Sequence, residues 1–184
     1  EGDIGGGKSL IAQRLAFGLS ENGTKVALVT TELTTRGWLE QVDSIGYGMS
    51  DYIDSGQFLL MSRFGVLTEE VEVEITINDL LSNEGLKAAD FVIIDRASQL
   101  IPPDTNPSAL LSSIRRFTAD GRTLMLCFDS DEVKPALLRE IKGSAEVVLG
   151  LLSTTQGGQL NRTLAVTRFL RAAGPVQARI GWRV

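Results

Sequence analysis

Near the start of the chain, Gly2-Asp3-Ile4-Gly5-Gly6-Gly7-Lys8-Ser9 follows the spacing G-x-x-x-x-G-K-[ST]. Glycines let a backbone wrap closely around an anion, with several main-chain N–H groups turned inward on its oxygens. In that setting Lys8 supplies a mobile cation for β- and γ-phosphates, and Ser9 supplies a hydroxyl for a magnesium ion. Such a loop opens a helix, and Leu10 carries it forward, so the positive end of the helix dipole adds to the anion site. Gly5, Gly6, Gly7, Lys8, Ser9 and Leu10 are therefore candidate contacts to a nucleoside triphosphate.

Further polar residues stand at the ends of apolar runs. Asp95 follows Phe91-Val92-Ile93-Ile94, where a buried strand would lift a carboxylate to the carboxyl edge of a sheet. There it would hold Mg²⁺ opposite Ser9; the plainer alternative is an acid that merely ends a strand. Glu32 ends the run Lys25–Thr31 and is a candidate catalytic base, able to orient or deprotonate a water for in-line attack on the γ-phosphate. Its alternative is a helix-start carboxylate beside Thr34 and Thr35. Asp129 and Ser130 end another apolar run and are candidate sensors of the γ-phosphate, or simply a polar strand end. Arg168 and Arg171 are candidate fingers reaching a neighbour's phosphates, an effect worth about 10³–10⁵ in rate where it operates. Equally, they could form a solvated basic edge that discourages strand aggregation.

These residues need a scaffold, and the hydrophobic pattern supplies one. A helix is expected over Ser9–Ser20, with Leu10, Ile11, Leu15 and Leu19 on one face and Gly23 as its stop. Strand Lys25–Thr31 leads to a helix capped by Thr34 or Thr35, running to about Gly46 with Trp38, Val42 and Ile45 inward. A short turn or helix over Met49–Ser55 precedes a strand at Gln57–Ser62. Glu69–Asn83 is ambiguous: Val71, Val73, Ile75 and Ile77 alternate like a strand, but a crossover to the next parallel strand needs a helix, placed in the later part. Asn106-Pro107 starts a helix to about Ala119. A strand over Arg122–Phe128 and a helix over Val133–Lys142 follow. After Ala145 the rhythm changes to three strands, Val147–Ser153, Gln159–Arg168 and Val176–Val184, the first two joined by a hairpin turn at Thr155-Gln156-Gly157-Gly158. The expectation is one α/β domain over residues 1–184, a mostly parallel sheet flanked by helices with a C-terminal antiparallel extension. A phosphate loop is fed by a parallel strand, so the sequence reads as a fragment cut before that strand, and Ala178–Val184 reads as an equally abrupt stop.

The 184 residues suffice for a sizeable core. With no histidine, imidazole catalysis and histidine metal sites are excluded. The single cysteine, Cys127, lies in an apolar run and cannot form an internal disulfide, which is compatible with a reducing cytoplasm. No run approaches the length of a membrane span. A net charge of −5 and a pI near 4.8 argue against a non-specific nucleic-acid surface. Asn22-Gly23-Thr24 and Asn161-Arg162-Thr163 match a glycosylation pattern, accidental in a cytoplasmic protein.

With the phosphate loop, Glu32, Asp95 and the C-terminal strands in place, the chain resembles the RecA/KaiC class of P-loop ATPases. Within it the chain resembles the archaellum ATP-binding family FlaH (ArlH). The resemblance is carried by residues 1–9, by Val29-Thr30-Thr31-Glu32-Leu33-Thr34-Thr35, by Val92-Ile93-Ile94-Asp95-Arg96-Ala97-Ser98 and by Arg168-Phe169-Leu170-Arg171-Ala172-Ala173-Gly174-Pro175-Val176. It implies a RecA-like fold, ATP and Mg²⁺ as ligands, and nucleotide roles at Gly5, Gly6, Gly7, Lys8, Ser9, Glu32 and Asp95. It also implies a cytoplasmic place at the membrane face of the archaeal motility motor, with the motor ATPase FlaI and a ring scaffold as partners, a homo-oligomeric ring, and regulation more than strong hydrolysis. Arg96 stands where the wider class often has serine or threonine, and two residues separate Arg168 from Arg171 where KaiC-like motifs usually have one. Two other functions stay open: an active KaiC-like signalling ATPase using Glu32, and a RadA-type DNA recombinase paralogue, against which the acidic pI speaks.

Overall fold

Val26–Thr30 is buried at every position, the signature of a strand covered on both faces. This strand, β1, pairs in parallel with β2 (Phe58–Ser62) on one side and β3 (Phe91–Ile94) on the other, and β3 pairs in parallel with β4 (Thr123–Leu126). The resulting sheet has the order β2-β1-β3-β4. The computed structural model describes residues 1–2, 5–64, 75–156 and 159–182. They divide into two compact units, Ser9–Cys127 and Glu1–Lys8 with Phe128–Val184.

In the Ser9–Cys127 unit, helix α1 (Lys8–Glu21) enters the core through Ala12 and Ala16, both fully buried, with Gln13 and Ser20 beside them. The expected stripe of Leu10, Ile11, Leu15 and Leu19 is instead half-buried. Small residues let the helix backbone come close to its neighbours, and the larger side chains then fall to the margins. Gly23, at φ +83°, ends the helix while Thr24 N–H reaches back to the Leu19 carbonyl at 3.0 Å. Helix α2 (Thr35–Ser44) is capped by Thr34, whose hydroxyl oxygen accepts from Gly37 N–H at 3.0 Å. Trp38 and Val42 are buried as expected, but Ile45 is 40% exposed. The helix has ended at Ser44, and the left-handed Gly46 turns the chain before Ile45 can face inward.

Helix α3 (Ser50–Asp54) leads into β2. The alternating residues Val71 and Val73 lie outside the described residues. The later part of that segment is helical, as α4 (Ile77–Ser82) and α5 (Glu84–Lys87). A capping box fixes the start of α4: the Thr76 hydroxyl and N–H both donate to the Asp79 carboxylate, at 2.6 and 2.8 Å. Those two bonds hold the Asp79 carboxyl below its usual range. Helix α6 (Pro107–Thr118), capped by Asn106, buries Leu110 and Phe117.

The other unit contains α7 (Pro135–Ser144), which buries Leu137, Leu138 and Ile141, and an antiparallel sheet β5-β6-β7 (Val147–Gln156, Gln159–Phe169, Arg179–Trp182). Gln156 pairs with Gln159, the register of the expected hairpin, whose turn glycines lie outside the described residues. Here Gly2 bridges Asp129 and Leu151 in parallel, with the Leu151 N–H donating to the Glu1 carbonyl at 2.7 Å. A Cβ on Gly2 would lie 2.8 Å from the Leu151 Cβ, so only glycine fits between these neighbours.

Trp38 is fully buried and stacks on Phe58 with ring centroids 5.5 Å apart. Its indole nitrogen has no hydrogen-bond partner among the described residues, so the ring contributes by packing alone. Trp38→Ala should cost about 3–5 kcal/mol of unfolding free energy in urea titration, and Trp38→Phe much less. Equal losses in the two variants would contradict this packing role.

Candidate nucleotide site

The chain leaves β1 outward to β2 and then returns past β1 to β3, so the strand order reverses between β1 and β3. In open α/β sheets, ligand crevices form at the carboxyl ends of strands at such a point. Thr30 closes β1 there, and Asp95 follows directly on β3. The Asp95 N–H donates to the Val29 carbonyl at 2.8 Å, and the Thr31 hydroxyl to the Asp95 carbonyl at 3.3 Å. Asp95 is thereby held at the strand end and is 5% exposed. A cavity of about 320 Å³ opens at this edge, lined by Ser9, Thr30, Glu32, Leu33, Gln41 and Asp95.

Ser9, Glu32 and Asp95 thus share one cavity. Gln41 and Leu33 were not expected in it. Gln41 lies three residues beyond Trp38 on α2, and that helical spacing from an inward anchor was the available signal. Among the described residues no group of three or more acidic, cysteine or histidine side chains could hold a metal by itself. Magnesium, however, is usually held by one or two carboxylates together with substrate phosphates and water. One buried carboxylate and one hydroxyl facing the same cavity fit that requirement.

The residue after Asp95 is unusual. Arg96 adopts the left-handed conformation at φ 58°, ψ 49°, a region costly for a residue with a side chain, on the order of 1–3 kcal/mol. It is pinned from both sides, by the Asp95 bonds above and by the Ala97 N–H donating to the Cys127 carbonyl at 2.8 Å. Its guanidinium forms an ion pair with Glu32 through Nη1 and Oε1, the two side chains being 18% and 41% exposed.

The phosphate loop itself falls mostly in the other unit. Gly5 and Gly7 sit at φ +74° and +95°, where a side chain is strained, so the loop's shape requires these two glycines; Gly6 between them is buried. Lys8, the first residue of α1, points its Nζ at the Gly2 carbonyl, 3.0 Å away, and forms a buried ion pair with Asp129. Ser130 follows, half-buried. Leu10 is half-buried on α1 and does not line the cavity. Arg168 lies on β6 opposite Val148, half-buried, and its Nε has no hydrogen-bond partner among the described residues. Arg171 lies beyond the strand at φ 61°, with its guanidinium 3.2 Å from Glu146 and its side chain 82% exposed.

No protein-family model matches the chain. Among curated proteins, the archaeal flagellar ATP-binding protein FlaH of Methanocaldococcus jannaschii is 27% identical over 187 residues, covering 100% of this chain and 80% of its own length. FlaH of Methanococcus voltae is 22% identical over the same share of this chain, and that of Sulfolobus acidocaldarius 26% identical over 86% of it. The crystal structure of the flagellar accessory protein FlaH from M. jannaschii superposes with a TM-score of 0.89 at 25% identity, covering 100% of this chain and 82% of that one. The chain is FlaH-like in sequence and in fold. Both resemblances take in the stretches that hold the phosphate loop, Glu32 and Asp95, because they run through the whole chain.

In this FlaH-like chain the Lys8–Asp129 pair is 9% and 4% exposed. Removing one partner of a buried pair costs about 3–5 kcal/mol, because a charge is left behind. Without added nucleotide, Lys8→Ala should therefore lower unfolding free energy by about 3 kcal/mol in urea titration, and Lys8→Ala/Asp129→Asn by clearly less. A double variant as unstable as the sum of its singles would contradict the coupling.

Proposed function

We propose that this chain is an ATP-binding regulatory component of the archaellum motor, whose main output is a nucleotide-dependent conformational state. The cavity that brings Ser9, Glu32 and Asp95 together at the carboxyl ends of β1 and β3 carries the reading. The phosphate-loop spacing and the relatives' description as ATP-binding add to it. Gly5, Gly6 and Gly7 would cradle the phosphates with their N–H groups, Leu10 would extend that cradle into α1, and Lys8 would move its charge from Asp129 onto the β- and γ-oxygens. Asp129 and Ser130 would then report the γ-phosphate. Ser9 and Asp95 would hold Mg²⁺, which neutralises charge on the polyphosphate. Glu32 would accept a proton from the attacking water in whatever hydrolysis occurs, which we take to be slow and conditional. Because Glu32 lines the same cavity, an active signalling ATPase of the KaiC type is the second reading, separated from the first by turnover per bound ATP.

Among the described residues no helix is long and apolar enough to cross a membrane. We place the chain in the cytoplasm at the motor's membrane face, in a ring with itself or on the motor ATPase FlaI. Arg168 and Arg171 would reach a neighbour's γ-phosphate.

Ligand that binds only the folded form raises its melting temperature. Mg·ATP should stabilise the wild type, and Lys8→Ala and Ser9→Ala should abolish the increment measured against each variant's own baseline. Asp95→Asn should weaken the magnesium dependence of binding, whereas Glu32→Gln should slow turnover and leave binding nearly intact. A wild-type increment in Lys8→Ala, or equal binding losses in Asp95→Asn and Glu32→Gln, would overturn these assignments.

ATP favours an associated state only through contacts that ADP cannot make, and about 1.4 kcal/mol of such preference shifts association tenfold. Sedimentation and pull-down with full-length protein should show tighter self-association or FlaI binding with ATP than with ADP. Arg168→Ala or Arg171→Ala should weaken the difference. The same assembly with ATP, ADP and no nucleotide would contradict the switch.

A further inference from the structure

We infer that Arg96 is a positioning residue that restrains Glu32, engaging its carboxylate away from water and so keeping ATP turnover low until the pair opens. The inference rests on the ATP-binding reading above and names a brake within that same site. Three observations carry it. The Arg96 guanidinium meets a Glu32 oxygen directly. Glu32 lines the cavity with Ser9 and Asp95, so whatever holds its carboxylate also sets which way it faces there. Arg96 itself is held at φ 58°, a conformation that a residue with a side chain rarely adopts.

The geometry leaves Arg96 little freedom to drift. Its neighbours are tied to Val29 and Cys127 through the Asp95 and Ala97 amides, so the guanidinium swings from a fixed backbone point. A carboxylate oxygen accepting from a guanidinium has a lone pair committed to that charge-assisted bond. Other lone pairs remain on the carboxylate, but a general base must aim one of them at the attacking water, and a carboxylate anchored by the guanidinium is not free to turn. Arginine and base activity therefore compete for Glu32. Partial exposure of both side chains lets the pair open without unfolding the strand ends, which suits a contact that a partner or the γ-phosphate could release.

The left-handed backbone also dictates the variant. Alanine at 96 would be strained, whereas glycine adopts positive φ freely, so Arg96→Gly removes the guanidinium and keeps the turn. Two readouts on full-length protein test the inference. Carbodiimide labelling of carboxylates, without nucleotide and read by mass spectrometry, should modify Glu32 several-fold faster in Arg96→Gly than in wild type or Arg96→Lys. With saturating Mg·ATP, Arg96→Gly should turn over about tenfold faster at unchanged ATP affinity, Arg96→Lys should stay near wild type, and Arg96→Gly/Glu32→Gln should turn over no faster than Glu32→Gln alone. Equal Glu32 labelling in all three proteins overturns the pair. Faster labelling with bound ATP but no gain in turnover overturns the brake. If no protein binds ATP, the ATP-binding reading falls and the brake with it, and faster labelling still supports the pair.

Discussion

Parallel pairing of Val26–Val29 with Phe91–Ile94 is the constraint on which the cavity depends. It brings the ends of two buried strands side by side, so Thr30, Thr31 and Glu32 at the end of one meet Asp95 and Arg96 just beyond the other. Neither carboxylate could be brought to the edge by local structure alone. A strand buried on both faces cannot slip its register without exposing apolar residues or breaking its ladder. Burial of Leu28, Val29, Ile93 and Ile94 therefore also fixes the polar residues beyond them. The hydrophobic core and the polar edge are one piece of physics.

Each unit holds an ion pair among the candidate site residues and their neighbours. Lys8 and Asp129 pair within one, and Arg96 and Glu32 within the other. The two pairs differ in setting. The Lys8–Asp129 pair is buried, where separating charges is expensive, so anything that draws Lys8 away must offer negative charge of its own. The Arg96–Glu32 pair is partly exposed, where water competes and opening is cheap. In the proposed function the first pair suits a gate for a polyphosphate, and the second a control on hydrolysis once the nucleotide is bound.

Much of the fold was legible because its signals are local. Four apolar residues before Asp95 and the run before Glu32 marked buried strands, and Thr34 and Asn106 announced helix starts that their hydroxyl and amide oxygens cap. The change after Ala145 from alternating elements to consecutive strands foretold the antiparallel sheet. Where the reading failed, the deciding factor was tertiary. Hydrophobicity alone picks the leucines of α1, yet close approach selects Ala12 and Ala16. Periodicity continues α2 through Ile45, yet Gly46 ends the helix first. At the edge, strand ends placed Glu32 and Asp95, but the Arg96–Glu32 contact depends on the β1–β3 register and a left-handed backbone, and the entry of Gln41 into the cavity depends on where α2 lies. No short-range pattern encodes the first, and the spacing of Gln41 from Trp38 only hints at the second.

A direct measurement of the central claim is electron paramagnetic resonance of Mn²⁺, a spin-active stand-in for Mg²⁺, titrated onto the full-length protein. With Asp95 the one buried carboxylate in the cavity and Glu32 engaged by Arg96, no group of three or more acidic, cysteine or histidine side chains among the described residues could hold the ion tightly, and nucleotide phosphates must supply the rest. The account predicts a protein-bound Mn²⁺ signal that requires ATP and is lost in Ser9→Ala and Asp95→Asn. Tight Mn²⁺ binding without nucleotide, or an ATP-dependent signal unchanged in both variants, would contradict it.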